Sequence, residues 1–124
     1  MSELRLHALR GATSVAANTE DAILDATEEL MRELLARNEL EIDQVVSAIF
    51  TATDDLDAAF PALAARRIGF DRVPLMCARE INVPGALPSV IRVMMHYYAP
   101  PGQGAKHVYL GEARSLRADL DAAQ

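Results

Sequence analysis

The sequence predicts an α/β (α+β) fold: a mixed five-stranded sheet with two main helices, in the order β-α-β-α-β-β-β. Three observations carry this. One long segment, residues 19 to 38, repeats its apolar residues at helical spacing. Several shorter runs, above all Val45 to Thr53 and Val90 to Tyr98, are rich in β-branched and apolar residues with turn signals at their ends. Two helices for five strands are too few for a doubly wound sheet, so part of the sheet should stay uncovered, and such a surface predicts an oligomer.

The elements follow in order. Leu4 to Leu9 alternates loosely and stops at Arg10-Gly11-Ala12-Thr13, a strand followed by a turn. Thr19 caps the first helix, with Glu20 and Asp21 at the positive end of its dipole. Ile23, Ala26, Leu30, Met31, Leu34 and Leu35 form its apolar stripe, opposite Asp25, Glu29, Arg32, Glu33 and Arg37. Val45 to Thr53 is a strand with Val46, Ala48, Phe50 and Ala52 on one face. Asp54-Asp55-Leu56-Asp57 reads as a polar turn that caps the next helix, or as a Mg²⁺ site. That helix spans about 59 to 68, with Pro61 suited to its first position, Arg66 and Arg67 to its last turn and Gly69 to its end. Val73 to Ala78 is a strand that Pro74 places near a strand start or a sheet edge. Asn82 to Pro88 is a loop, and Val90 to Tyr98 a long strand whose two faces are both largely apolar, as if covered on both sides. After the loop Pro100 to Gly104, Lys106 to Leu110 is a short last strand, and Ala113 to Leu120 suits a short helical turn.

The bulk properties narrow the function. At 124 residues the chain is expected to be one domain, 1–124, with 51% hydrophobic and 24% charged residues, as in ordinary globular proteins. A formal charge of -6 argues against a nucleic-acid partner, and an anion site would depend on arginines that concentrate positive potential locally. The single cysteine rules out an internal disulfide and fits a reducing compartment. The start, Met1 to His7, holds no signal-peptide run, and nothing reaches membrane-spanning length, so a cytoplasmic protein with no membrane partner is expected.

Charged residues in apolar strands are the informative signal. Arg92 stands within Val90-Ile91-Arg92-Val93-Met94-Met95; a guanidinium in a dry place needs an anion, from the protein or from a ligand. Arg10 ends the first apolar run, and Cys77-Ala78-Arg79-Glu80 closes another. Glu80 and Arg92 suit a structural salt bridge as well as a ligand site. Arg10, with Arg66 and Arg117 in reserve, exceeds what one glutamate neutralises, and guanidinium forks suit carboxylates. His7, His96 and His107 have no paired spacing, so no metal site is expected, and neither a Walker loop nor a Gly-x-Gly-x-x-Gly motif is present. Cys77 reads as an inert core thiol that lines a pocket without reacting, and Tyr109 as a core tyrosine or a ligand contact. These residues point to a pocket for a small carboxylate ligand, without metal or redox cofactor.

Five segments together resemble one family: Arg10-Gly11-Ala12-Thr13; Thr53-Asp54-Asp55-Leu56 with Ala59-Phe60-Pro61-Ala62; Val73-Pro74-Leu75 leading to Cys77-Ala78-Arg79-Glu80; Ile91-Arg92-Val93; and His107-Val108-Tyr109-Leu110. In order and spacing they are similar to the small monofunctional chorismate mutases of the trimeric α/β type, over about residues 5 to 120. The resemblance implies rearrangement of chorismate to prephenate on the route to phenylalanine and tyrosine, without a cofactor. It also implies a homotrimer of pseudo-barrel subunits with active sites in the clefts between neighbours. By position it makes Arg92 and Glu80 catalytic, with Arg92 against the breaking ether oxygen. Arg10 and Tyr109 then hold carboxylates, Glu80 and Cys77 contact the ring-hydroxyl side, and Met76, Ala78 and Arg79 complete the substrate-binding set. Phe60 and Leu116 supply apolar wall, and Arg66 and Arg117 lie at the rim. Leu63 stands where some members carry a basic residue, and Ala118 where the family tail often has proline. The implied reaction is a unimolecular pericyclic shift, which needs positioning and charge stabilisation rather than a nucleophile. Rival readings are a small trimeric imine deaminase and a non-catalytic carboxylate-metabolite sensor.

Overall fold

Strand pairing dominates the architecture of the computed structural model, which describes residues 3–116. The elements are β1 (Arg5–Ser14), α1 (Glu20–Arg37), β2 (Val45–Ala52), α2 (Pro61–Arg67), β3 (Leu75–Arg79), β4 (Val90–Ala99) and β5 (Val108–Leu110), with 3-10 turns at Ile42–Gln44 and Gly111–Ala113. The five strands form one mixed sheet in the order β3-β2-β4-β1-β5. The central strand β4 runs antiparallel to both neighbours, β1 and β2, while the outer pairs β1–β5 and β2–β3 are parallel. The predicted fold class and element order hold.

α1 forms where its stripe and caps place it. The Thr19 side chain accepts from the Ala22 amide, and Ile23, Leu24, Leu30, Met31 and Leu34 are buried. Both helices share one apolar cluster with Leu9, Phe50, Ile91, Val93, Met95 and Tyr97, so both cover the same face of the sheet. α2 begins with Pro61 at its first turn and is followed by Gly69 at φ 116°, a left-handed conformation that glycine adopts freely. Pro74 precedes the edge strand β3, where its carbonyl accepts from the Ala48 amide and its missing N–H costs nothing.

Five expectations need correction. The first strand does not stop at Leu9; β1 runs on to Ser14 because residues 10 to 13 pair with β4, while residues 11 to 13 also pair with β5. Gly11, which reads as a turn signal, is a mid-strand packing residue: a Cβ there would stand 2.9 Å from Leu34 Cδ1 and 3.1 Å from Leu30 Cδ1. In β2 a register shift between Val45 and Ser47 turns Val46 outward, so the buried face is Val45, Ala48 and Phe50. β4 is not covered on both sides. Ile91, Val93, Met95 and Tyr97 are buried under the helices, whereas Arg92 and Tyr98 are exposed on the opposite face and Met94 and His96 are half-buried.

The Asp54–Asp57 turn does not cap α2, whose N-cap is Phe60 without a side-chain bond. Asp55 instead accepts from the Ser89 amide and hydroxyl and from Thr53, tying the end of β2 to the start of β4. Ser89 sits at φ 55°, and these bonds hold that strained backbone in place. The last described turn folds back onto the open face, where Ala113 packs with Ala12 and Val90, and Tyr109 and Leu116 lean against them. Arg117, Ala118 and the remainder of the predicted tail turn lie outside the described residues.

Candidate active site

The open face of the sheet gathers the site by register alone. Arg92 of β4 pairs with Thr51 of β2 on one side and with Ala12 of β1 on the other; Ala12 in turn pairs with Tyr109 of β5. Partners in register point to the same face, so Thr51, Arg92, Ala12 and Tyr109 form one row across four strands. Arg10 pairs with Met94 and Ile49 also pairs with Met94, giving a second row on that face. These side chains, with Glu80 and Leu116, line a cleft of about 610 Å³. Ala12, small and buried, leaves room in its floor between the arginine and the tyrosine.

The polar groups of this cleft are incompletely used. Glu80 Oε2 accepts from the Thr51 hydroxyl and lies 3.7 Å from Arg92 Nε, too far for a hydrogen bond. The salt-bridge reading of Glu80 and Arg92 is therefore only a loose approach, and the side chain of Arg92 remains 49% exposed. Arg10 has no ion-pair partner among the described residues. The Tyr109 hydroxyl is buried and has no hydrogen-bond partner among the described residues. Two guanidiniums at one apolar-floored cleft, with the buried Tyr109 hydroxyl behind its wall, suit an anionic oxygen-rich ligand.

The remaining predicted residues lie elsewhere. Phe60, Cys77, Ala78 and Arg79 line a second cleft of about 480 Å³, with Leu56 and Leu63. Cys77 is free and half-buried, its register partner is the core residue Phe50, and it packs against the helix-side cluster. Phe60 is 74% exposed, a wall without an opposite wall. Arg79 reaches Asp54 at 3.4 Å on the surface. Met76 is 57% exposed and, like Arg66, lines neither cleft. A single chain thus does not bring Cys77 and Phe60 to Arg92; it divides most of the predicted set between two clefts and leaves Met76 in neither.

Sequence reasoning missed Thr51, which orients Glu80, and the contact of His107 Nδ1 with the Arg10 amide at 3.0 Å. No local pattern signals either, because each depends on which strands become neighbours. Among the described residues no three His, Cys, Asp or Glu side chains group to hold a metal, and no helix is long and apolar enough to cross a membrane.

Comparison with known proteins gives this arrangement a family. The family model for chorismate mutase type I matches residues 6–120. Chorismate mutase AroH of Thermus thermophilus is 48% identical over 118 residues, covering 94% of this chain and 97% of that protein. Chorismate mutase AroH of Bacillus subtilis (strain 168) is 39% identical over 119 residues, covering 94% of each. A solved chorismate mutase from Clostridium thermocellum superposes with a TM-score of 0.84 at 50% identity, covering 88% of this chain and 98% of that one. These matches favour the mutase reading over the imine deaminase and the sensor. The chain belongs to the type I chorismate mutase family.

Proposed function

We propose that the cleft holding Arg10, Arg92 and Tyr109 is where this enzyme, a monofunctional chorismate mutase, converts chorismate to prephenate. The observation that carries the assignment is that Arg10, Arg92 and Tyr109 line one cleft and, among the described residues, their polar groups lack a full set of partners. The substrate is a flexible ether with two carboxylates, and the reaction is unimolecular. The protein's task is to hold the compact reactive conformer and to stabilise negative charge growing on the ether oxygen. Arg92, in mid-cleft with its terminal nitrogens free of Glu80, meets that oxygen. Arg10 and Tyr109 take carboxylate oxygens, and Glu80, held by Thr51, accepts from the ring hydroxyl.

The second cleft enters through self-association. The open face exposes Leu6, Met76 and Tyr98, and Phe60, Ile81 and Val83 also protrude. Such surfaces suit a homotrimer in which the Phe60–Cys77 cleft of one subunit closes against the Arg92 cleft of the next, with Cys77, Ala78 and Arg79 contributing packing and no covalent chemistry. A cytoplasmic location fits the free half-buried thiol.

A chorismate-disappearance assay tests the activity, and a protein that only bound the ligand would leave chorismate unchanged. Light scattering tests the assembly: three times the 13.5 kDa chain mass is expected, and a monomer with full activity contradicts the shared cleft. Arg10→Ala should chiefly raise KM, because carboxylate binding is largely common to ground and transition states. A pure kcat effect would remove Arg10 from that role.

A further inference from the structure

We propose that His107 is a positioning residue for chorismate turnover: by accepting the Arg10 amide hydrogen at Nδ1, it fixes the backbone from which the Arg10 guanidinium enters the cleft. The inference rests on the reading of Arg10 as a carboxylate ligand.

The geometry explains why an imidazole is needed there. β5 is short, and its parallel ladder with β1 starts only at Gly11 and Val108. The Arg10 amide lies one residue outside that ladder, so β5 offers it no backbone acceptor in register. A partly buried N–H left without a partner is unfavourable. The His107 ring supplies the acceptor from the residue just before the strand, at 3.0 Å. On the other side of Arg10, Gly11 lies so close under Leu34 and Leu30 that even a Cβ would crowd their methyl groups. Arg10 is thus held between a side-chain hydrogen bond and a packed glycine, and its side chain starts from a fixed point. A binding group displaced by about 1 Å loses much of its contribution, which gives such anchoring a functional consequence.

The bond also sets the imidazole's state. An acceptor Nδ1 carries no proton, so the ring is neutral with its proton on Nε2. Burial and the nearby positive charge of Arg10 both push the His107 pKa below its usual value, in the same direction. Nδ1 is thereby kept available to the amide while a guanidinium sits beside it.

Steady-state kinetics of His107→Leu, His107→Asn, Arg10→Ala and the Arg10→Ala/His107→Leu pair test the proposal. His107→Leu should raise KM about three- to tenfold, the worth of one hydrogen bond, with kcat within about twofold of wild type. His107→Asn, whose Oδ1 stands close to the former Nδ1, should restore most of the loss. In the Arg10→Ala background His107→Leu should add almost nothing, because both changes act through one guanidinium. Unchanged KM in His107→Leu, no rescue by asparagine, or the same KM increase with and without Arg10 would each overturn the proposal. If Arg10→Ala itself leaves KM unchanged, the reading of Arg10 fails and takes this inference with it; a KM effect of Arg10→Ala without one of His107→Leu refutes His107 alone. Should His107→Leu not fold, His107→Ala, which leaves space for water at the amide, carries the same expectations.

Discussion

On β4, Ile91, Val93, Met95 and Tyr97 are buried against the helices, while Arg92, Met94, His96 and Tyr98 alternate with them and face away. The two faces share one backbone and one set of pairings, so a change of register would exchange them. The buried face follows packing rules apart from one buried, unpartnered hydroxyl, that of Tyr97: Leu9, Phe50 and Met95 are fully enclosed and meet α1 and α2 in one cluster. The open face breaks those rules in an organised way, keeping an arginine in the middle of an apolar strand and, among the described residues, a second arginine without an ion-pair partner and a buried tyrosine hydroxyl without a hydrogen-bond partner. Charged residues that depart from packing logic and gather in one cleft mark a functional surface, and the helix-covered face supplies the rigidity that holds it.

Substitutions should separate the two faces. Phe50→Ala, on the buried face, should cost about 3–5 kcal/mol by denaturant unfolding, through lost burial and a cavity. The fraction still folded should keep near-normal kcat, and a large kcat loss there would blur the distinction. Gly11→Ala should cost about 1–2 kcal/mol, near the low end for overpacking because the clashing atoms are flexible leucine methyls. Since Gly11 neighbours Arg10, KM should rise in the same variant. Asp55→Ala should remove the tie to Ser89 and cost about 1 kcal/mol, seen as a lower Tm.

The smallest effect is one of pH. The folded-state pKa of His107 is lowered, first by burial and then by Arg10, so the unfolded chain binds its proton more readily. Stability from this site is fully present above about pH 6.5 and is lost as pH falls from there through the folded value. Asp55, its carboxylate favoured most by the Thr53 hydroxyl, acts in the same direction in a more acidic window, below its usual 3.8. Tm measured against pH should therefore decline on the acid side, and His107→Asn should flatten the upper part of that decline.

Much of this was legible in the sequence, for identifiable reasons. α1 announced itself through Thr19, a regular stripe and an acidic first turn, all local signals. Arg10 and Arg92 were visible as charges in apolar strands, and the structure keeps both in one cleft. Gly11 was misread because a glycine after an alternating run is a turn signal unless a helix packs onto it, and Leu34 is remote in sequence. The contacts of Thr51 and His107 gave no sign, since their partners Glu80 and Arg10 arrive only through strand pairing. The apparent coverage of both faces of β4 had a different cause: Met94 lines the cleft and Tyr98 is exposed, and hydrophobicity alone cannot distinguish such residues from a core.

The central claim, that Arg92 serves the transition state rather than the fold, is tested most directly by measuring kcat and Tm together for Arg92→Ala. With its side chain 49% exposed and its nearest carboxylate 3.7 Å away, the substitution should shift Tm little. kcat should fall at least about a hundredfold, as when an oxyanion-stabilising donor is removed. Near-normal turnover, or a kcat loss that merely tracks a large drop in Tm, would contradict the account.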